Sequence, residues 1–352
     1  MAETANGPHP GALHLGTLPT LEAVAAIAGV SKSTVSRVIN DSTVVSADAK
    51  ARVEAAIAEL GYAPNRAARS LARRRSDSLA VIVHESDATL FSDPFFGRIV
   101  RSISQALANS EVQLVLLLAQ TDADCARVER YVRQGHSDGV LLVSAHGDDP
   151  LAIALATAEV PTIMAGRPLF DASLPYVDSD NRTGARMAVE HLVQRGRGVI
   201  ATVAGPADMS AGVDRLAGYR DGLRAAGANY RRSLVEYGDW TAESGHRAMR
   251  ALLAREPAID AVAVASDLMA VGALQALREA DRDVPGQVAV VGFDDTPLWS
   301  WGYGAVPLTT VRQPVEQIGT EMTSRLRDYL EGRAPTIDSV TLPTELIVRQ
   351  TT

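Results

Sequence analysis

The chain has little cysteine, few aromatic residues and no long apolar run. Cys125 is the single cysteine in 352 residues, so a disulfide within the chain is excluded. It sits in the helical pattern DADCARVERYV, where a structural cysteine is the ordinary reading and a nucleophile the rare one. Phe, Tyr and Trp make up only 5 % of the chain, so each one near a site invites a reason. No apolar stretch approaches the roughly 20 residues that span a bilayer. The first 19 residues lack the basic start and apolar core of a signal peptide, and their Gly, Pro and His content reads as a disordered arm. A cytoplasmic location without membrane attachment is the expectation. Catalytic signatures are missing too: no P-loop, no G-x-S-x-G and no metal-ligand cluster. His9, His14, His84, His136, His146, His191 and His246 follow no recognisable spacing. An enzyme is not expected, nor a cofactor or metal.

What is present begins at Thr20, with TLEAVAAIAGVSKSTVSRVINDSTVVSADAKARVEAAIAELGYAPNRAARSLA. Thr20 can cap a helix in which Leu21, Val24, Ala25, Ile27 and Ala28 recur at helical spacing. Gly29 supplies a sharp turn and Ser31 caps a second helix. That helix turns Val35, Val38 and Ile39 inward and leaves Lys32, Ser33, Ser36 and Arg37 largely outward. Hydroxyls and cations on an exposed face suit an anionic, hydrogen-bonding partner, and the whole reads as a helix-turn-helix. A third helix starts at the Ser46 cap, carries Asp48 in its first turn and ends at Gly61, with Val53, Ile57 and Leu60 closing a small core. From Thr20 to Arg75 there are nine Lys/Arg against five Asp/Glu. With Glu3 alone before it and a total of −8, residues 76–352 carry −11. A basic module on an acidic body fits phosphate contact by one end only.

The stretches AIAGVSKSTVSRVIN and VSADAKARVEAAIAELGYAPNRAARSLA resemble the LacI–GalR (lac repressor) family of bacterial transcriptional regulators, and further motifs recur almost to the C-terminus. The resemblance implies a lambda-repressor-like headpiece over 20–63 that binds double-stranded operator DNA. Lys32, Ser33 and Arg37 match the positions that read base edges, an Arg or Lys suiting guanine O6/N7. Thr34, Ser36 and Asn40 are expected to touch phosphates or hold the turn, Asn40 being equally readable as structural, and Thr20, Ser31 and Tyr62 are also expected among the DNA-binding residues. Pro64 breaks the third helix, and Asn65 can cap a short one from Arg66 to about Arg73 that is too short to stand alone. In the family this hinge helix (linker 64–76) folds on DNA. Leu71 matches the side chain that wedges between base pairs in the minor groove, with Asn65, Arg66, Ala68 and Arg69 alongside.

From Leu79 the pattern changes. LAVIV, VQLVLLL, DGVLLVS and PTIMAG alternate with helical stretches, and GVIATVAG, SLVEYG, DAVAVAS and QVAVVGF form a second such series. Buried parallel strands covered by helices give this alternation. Two series imply two Rossmann-like subdomains facing across a cleft, an arrangement similar to the periplasmic binding proteins. The expected fold class is thus α plus α/β: headpiece, hinge helix and a two-lobed core over 77–352. Strands LTTVRQ and VTLPTELIVRQ with the helix between them are expected to cross between lobes. That gives one lobe of about 77–178 plus 312–335 and another of about 179–311 plus 336–352.

Ligands in open α/β sheets sit beyond the C-terminal ends of strands. Asp93, Phe95 and Phe96 follow the first strand in DPFF, which resembles the family's ligand loop; Phe96 is equally readable as core. Arg167, Arg215 in DRLAGY, Trp240, Ser266, Asp294 in VGFDDT and Gln313 complete the expected effector contacts, while Asp267 reads as a helix cap. Gly166 and Ser266 depart from the Asp and Asn common in sugar-binding relatives. A carboxylate, arginines and aromatic faces suit a polyol, so a carbohydrate effector is the first expectation. A purine- or nucleoside-responsive regulator is the alternative, and a plain solute-binding protein a weaker one. One recognition helix reads few base pairs, so a homodimer on a palindromic site is expected, with helices after Phe96 and Pro314 at its interface by resemblance. The C-terminus LPTELIVRQTT lacks a leucine-heptad tail for tetramers.

Overall fold

Local side-chain chemistry sets the helix ends in the computed structural model, which describes residues 19–39, 44–62, 75–85, 87–169, 174–297 and 307–352. The expected contacts Asn40, Asn65, Arg66, Ala68, Arg69 and Leu71, and the arm before Pro19, lie outside the described residues. The chain divides into two units, Met1–Arg74 and Arg75–Thr352.

In the first unit, α1 (Leu21–Ala28) opens on Thr20, whose hydroxyl accepts the Ala23 N–H at 3.3 Å. It closes on Gly29 at φ 63°, a left-handed conformation that a side chain would strain. Helix α2 (Lys32–Ile39) follows Ser31, and α3 (Ala47–Leu60) runs from the Ser46 cap to Gly61. Val24, Val35 and Val53, one from each helix, are fully buried together with Ala25, Ala28, Val38 and Ala56. Tyr62 joins this core at 7 % exposure. In a core this small an aromatic ring covers apolar surface that three short helices cannot bury by themselves.

The second unit holds two six-stranded sheets. The first lobe runs β1 (Ser78–Val83), α4 (Asp87–Ser92), α5 (Pro94–Leu107), β2 (Gln113–Leu118), α6 (Asp122–Tyr131), β3 (Gly139–Val143), α7 (Pro150–Thr157), β4 (Thr162–Ala165) and β5 (Tyr176–Ser179). The second runs α8 (Asn181–Gln194), β6 (Ile200–Ala204), α9 (Ser210–Ala225), β7 (Val235–Tyr237), α10 (Ala242–Arg255), β8 (Ala261–Val264), α11 (Asp267–Glu279), β9 (Ala289–Asp294) and β10 (Thr309–Arg312). Then α12 (Val315–Leu330) and β11 (Val340–Leu342) return to the first lobe, and β12 (Glu345–Ile347) to the second. Strand orders are β11-β5-β4-β3-β1-β2 and β12-β10-β9-β8-β6-β7, parallel apart from the β10–β12 pair. Every residue of β1 and β3 is buried, which is why both read as continuous apolar runs rather than alternating ones.

Helix α12 packs against α5 on one face of the first sheet. Gly319 permits the approach, since a Cβ there would collide with the Ser102 hydroxyl. The chain crosses between lobes after β5, after β10 and after β11. The expected return at about 336 is corrected by β11: Val340, Thr341 and Leu342 pair with Val177, Asp178 and Ser179 of the first sheet. The stretch expected as one strand, VTLPTELIVRQ, is cut by Pro343, which has no N–H for a ladder, and its two halves join different sheets.

Candidate functional site

On the headpiece, Ser31, Lys32, Ser33 and Arg37 form the exposed face at the start of α2, with Thr34 and Ser36 half-buried beside them. The Ser31 hydroxyl accepts the Thr34 N–H at 3.2 Å and lies 2.8 Å from both the Ser33 and Thr34 hydroxyls. A cap and a hydroxyl cluster therefore share one atom, which fixes the side chains that lead the helix. Lys32 is ion-paired with Glu22 of α1, which holds the Glu22 carboxyl below its usual range. That pairing is surface-exposed and weak by nature, so an anionic partner can displace it. Thr20 caps α1 through its hydroxyl oxygen.

In the second unit, a cleft lies between the lobes, at the C-terminal ends of the strands. All nine expected effector residues line it: Asp93, Phe95, Phe96, Arg167, Arg215, Trp240, Ser266, Asp294 and Gln313. Their environments differ. Arg215 reaches in from α9 and is only 6 % exposed. Its Nε donates to Asn181 Oδ1 at 2.9 Å, and its Nη1 donates to the Ala265 carbonyl at 2.5 Å and to Asp294 Oδ1 at 3.3 Å. The guanidinium lies 3.7 Å from the centre of the Phe293 ring and 5.4 Å from that of Trp240. Burial lowers its pKa from the ordinary value, opposed mainly by the negative charge of Asp294. Asp294 also accepts from Gln313 Nε2 at 2.7 Å, and burial raises its pKa despite Arg215. Trp240 sits at φ 69° and Asp294 at φ 118°, and such strained backbone in non-glycine residues collects at functional sites. The Trp240 ring covers Gly205, where any Cβ would strike it, and its indole N–H donates to Met209 Sδ at 3.0 Å.

Three expectations change in detail. Phe96 is 4 % exposed and packs in the first-lobe core, edge-on to Phe95 at 5.5 Å, so Phe95 is the aromatic that the cleft can use. Arg167 lines the cleft, but its guanidinium donates to both oxygens of Asp214 in the second lobe at 3.0 Å, tying the lobes together. Ser266, rather than Asp267, caps α11 by accepting the Met269 N–H at 3.2 Å. Asp267 instead accepts from the Thr310 hydroxyl at 2.6 Å and the Thr296 N–H at 2.8 Å. Burial and the nearby Asp294 push its pKa well above the carboxylate range.

Further carboxylates reach the cleft that sequence reasoning passed over. Glu85 follows β1 and Asp178 lies in β5; Ser144 and Asn181 stand with them. Burial raises Asp178, which accepts from the Arg167 and Ser179 N–H groups and from the Asn181 amide. Burial likewise pushes Glu85 upward, but hydrogen bonds from His146 and Ser144 outweigh it and hold the group below its usual range. Asp93 caps α5 by accepting the Phe95 N–H at 2.9 Å, and burial, aided by the charge of Asp294, lifts its pKa to about 7. Glu85 was findable, since it ends a strand at the expected mouth. Asp178 had no such signal, because β5 is too short and polar to stand out.

Comparison with known proteins accounts for both units. Residues 20–65 match bacterial regulatory proteins of the lacI family, and residues 189–352 match the periplasmic binding protein-like domain. The HTH-type transcriptional regulator CelR of Thermobifida fusca is 47 % identical over 334 residues, covering 94 % of this chain and 98 % of that protein. A solved CelR–cellobiose complex matches with a TM-score of 0.74 at 46 % identity, over 95 % of this chain and 100 % of that one. The lac repressor dimer bound to operator and the anti-inducer ONPF matches with a TM-score of 0.81 at 31 % identity, over 95 % and 99 %. With a helix-turn-helix headpiece, a two-lobed binding core and relatives of this likeness along nearly its whole length, the chain belongs to the LacI family of bacterial transcriptional regulators.

Proposed function

We propose that the protein is a sequence-specific repressor that binds a palindromic operator as a homodimer and is gated by an uncharged sugar held between its lobes. The observation that carries the ligand class is the lining of the cleft. Glu85, Asp93, Asp178 and Asp294 converge there, while Arg215 is spent on Asp294 and Arg167 on Asp214. Among the described residues, such a lining has an excess of acceptors for hydroxyl donors and no spare cation for a phosphate or carboxylate. Trp240 and Phe95 add apolar faces of the kind that stack on a sugar ring. The likeness to a regulator solved with cellobiose supports a glucose disaccharide as the first candidate, and favours a sugar over a purine.

Lys32, Ser33 and Arg37 are proposed to read base edges, with Thr20, Ser31, Thr34 and Ser36 at phosphates. A domain plan of headpiece 20–63, hinge 64–76 and core 77–352 goes with that reading. Dimerisation is supported by the geometry of two-fold operator reading and by the dimeric lac repressor neighbour. Titration calorimetry of the full-length protein with cellobiose, glucose, a glucose phosphate and adenosine tests the ligand class. Binding of the neutral sugar alone is the expected result; tighter binding of the phosphate or the nucleoside would reject it.

A further inference from the structure

Histidines that are scattered in sequence meet at the rim of the cleft. His146 follows β3 in the first lobe, and its Nε2 lies 2.9 Å from Glu85 Oε1 while its Nδ1 lies 3.0 Å from Asp208 Oδ2. Glu85 belongs to the same lobe and lines the cleft; Asp208 belongs to the second lobe, in the turn before α9. Beside this bridge the Gly147 N–H donates to the Asp208 carbonyl at 2.7 Å, again from lobe to lobe. Ionised carboxylates only accept, so both ring nitrogens can bond at once only if each carries a proton.

We propose that His146 is a positioning residue for the effector: as an imidazolium it fastens the two lobes and holds Glu85 in the cleft wall, and loss of its proton loosens the closed form. This rests on reading the cleft as the effector site. The groups facing His146 are Glu85 at the end of β1, Asp208 before α9, and His84, which is itself bonded to Asp149 at 2.8 Å. The Glu85 hydrogen bond raises the His146 pKa most, burial opposes it, and Asp208 adds to the rise, which reaches about 9. When the lobes part, Asp208 leaves with its lobe and the pKa falls back. The closed form therefore holds the proton more tightly, so closure is favoured at low pH and weakens as pH climbs through the interval up to about 9. Each unit separating the open and closed values is worth about tenfold in affinity. Arg167–Asp214 is another tie between the lobes, and its hydrogen bond raises the Arg167 guanidinium further above its ordinary value, so the lobes stay joined on that side. Asp93, with a pKa of about 7, titrates in the same interval, and only a comparison of variants isolates His146.

Two measurements on the full-length protein test this. Histidine side-chain NMR is expected to find His146 titrating above the ordinary histidine range without sugar and about one unit higher with cellobiose bound, and Asp208→Asn is expected to bring the sugar-free value down. Calorimetry with cellobiose from pH 6.5 to 9.5 is expected to show wild-type affinity falling by roughly tenfold. His146→Arg, charged throughout, should lose most of that fall, and His146→Gln should bind weakly at every pH. An ordinary His146 titration unmoved by Asp208→Asn would overturn the proposal, as would superimposable pH profiles for wild type and His146→Arg. If cellobiose fails to bind, the sugar reading falls, and the NMR titration still decides the latch.

Discussion

Replacing Arg215 with methionine keeps the buried stem and removes the guanidinium that pairs with Asp294. Removing one partner of a buried ion pair costs about 3–5 kcal/mol, because the other charge is left without compensation. Asp294 keeps the hydrogen bond from Gln313, and its side chain is 16 % exposed, so the low end of that range applies, about 3 kcal/mol. For a domain of this size that is a fall of roughly 6–12 °C in melting temperature. The sign of the pH dependence follows. Without Arg215 the folded-state pKa of Asp294, already raised by burial, rises further above its unfolded value. A carboxyl raised on folding contributes most in acid and costs stability as pH climbs through the raised value. The deficit of Arg215→Met should therefore be larger at pH 8 than at pH 5.5. Circular dichroism melts at both values measure it, and adding Asp294→Asn should restore much of the loss, since the carboxyl that lost its cation is then gone. A single variant that melts with the wild type at pH 8, or a double variant worse than the single, would refute the pairing.

Three further outcomes follow from the same structure. Trp240→Ala removes the ring over Gly205 and should weaken sugar binding at least tenfold by calorimetry, about 1.4 kcal/mol, with operator affinity of the free protein unchanged. Lys32→Ala should weaken operator binding by about 1–3 kcal/mol and relax specificity at the base pair it reads, whereas Glu22→Gln, which releases Lys32, should tighten it; anisotropy with operators changed one base pair at a time reads both. Asp93→Asn keeps an N-cap on α5 but no longer titrates, so it should raise the melting temperature at pH 8 and gain less at pH 5.

Much of the fold was legible because its signals are local. Thr20, Gly29, Ser46 and Gly61 act where they stand, and β1 and β3 are buried on both faces, so their sequences are unbroken apolar runs. Tyr176–Ser179 was missed because a crossover strand beside a polar cleft carries Asp178 and Ser179 where a core strand would carry valine. Pro343 was visible, but that it would send the two halves of one strand to different sheets depends on partners far away in sequence. The cleft residues came from strand ends and from positions that resemble the family's ligand motifs, and all nine line the cavity. Their partners did not: Arg167 finds Asp214, Lys32 finds Glu22, and His146 finds Asp208 only through tertiary structure. The burial of Tyr62 is likewise a matter of how little core three short helices provide.

The central claim is that occupation of the interlobe cleft by a neutral sugar changes the grip of the headpiece on DNA. Operator affinity of the full-length protein, measured by fluorescence anisotropy as cellobiose is raised, tests it most directly. Coupling between sites of this kind is typically 5–150-fold. The account expects a shift of about that size in the wild type, displaced to at least tenfold higher sugar concentration in Trp240→Ala. Operator affinity that stays constant while calorimetry shows the sugar bound would contradict it.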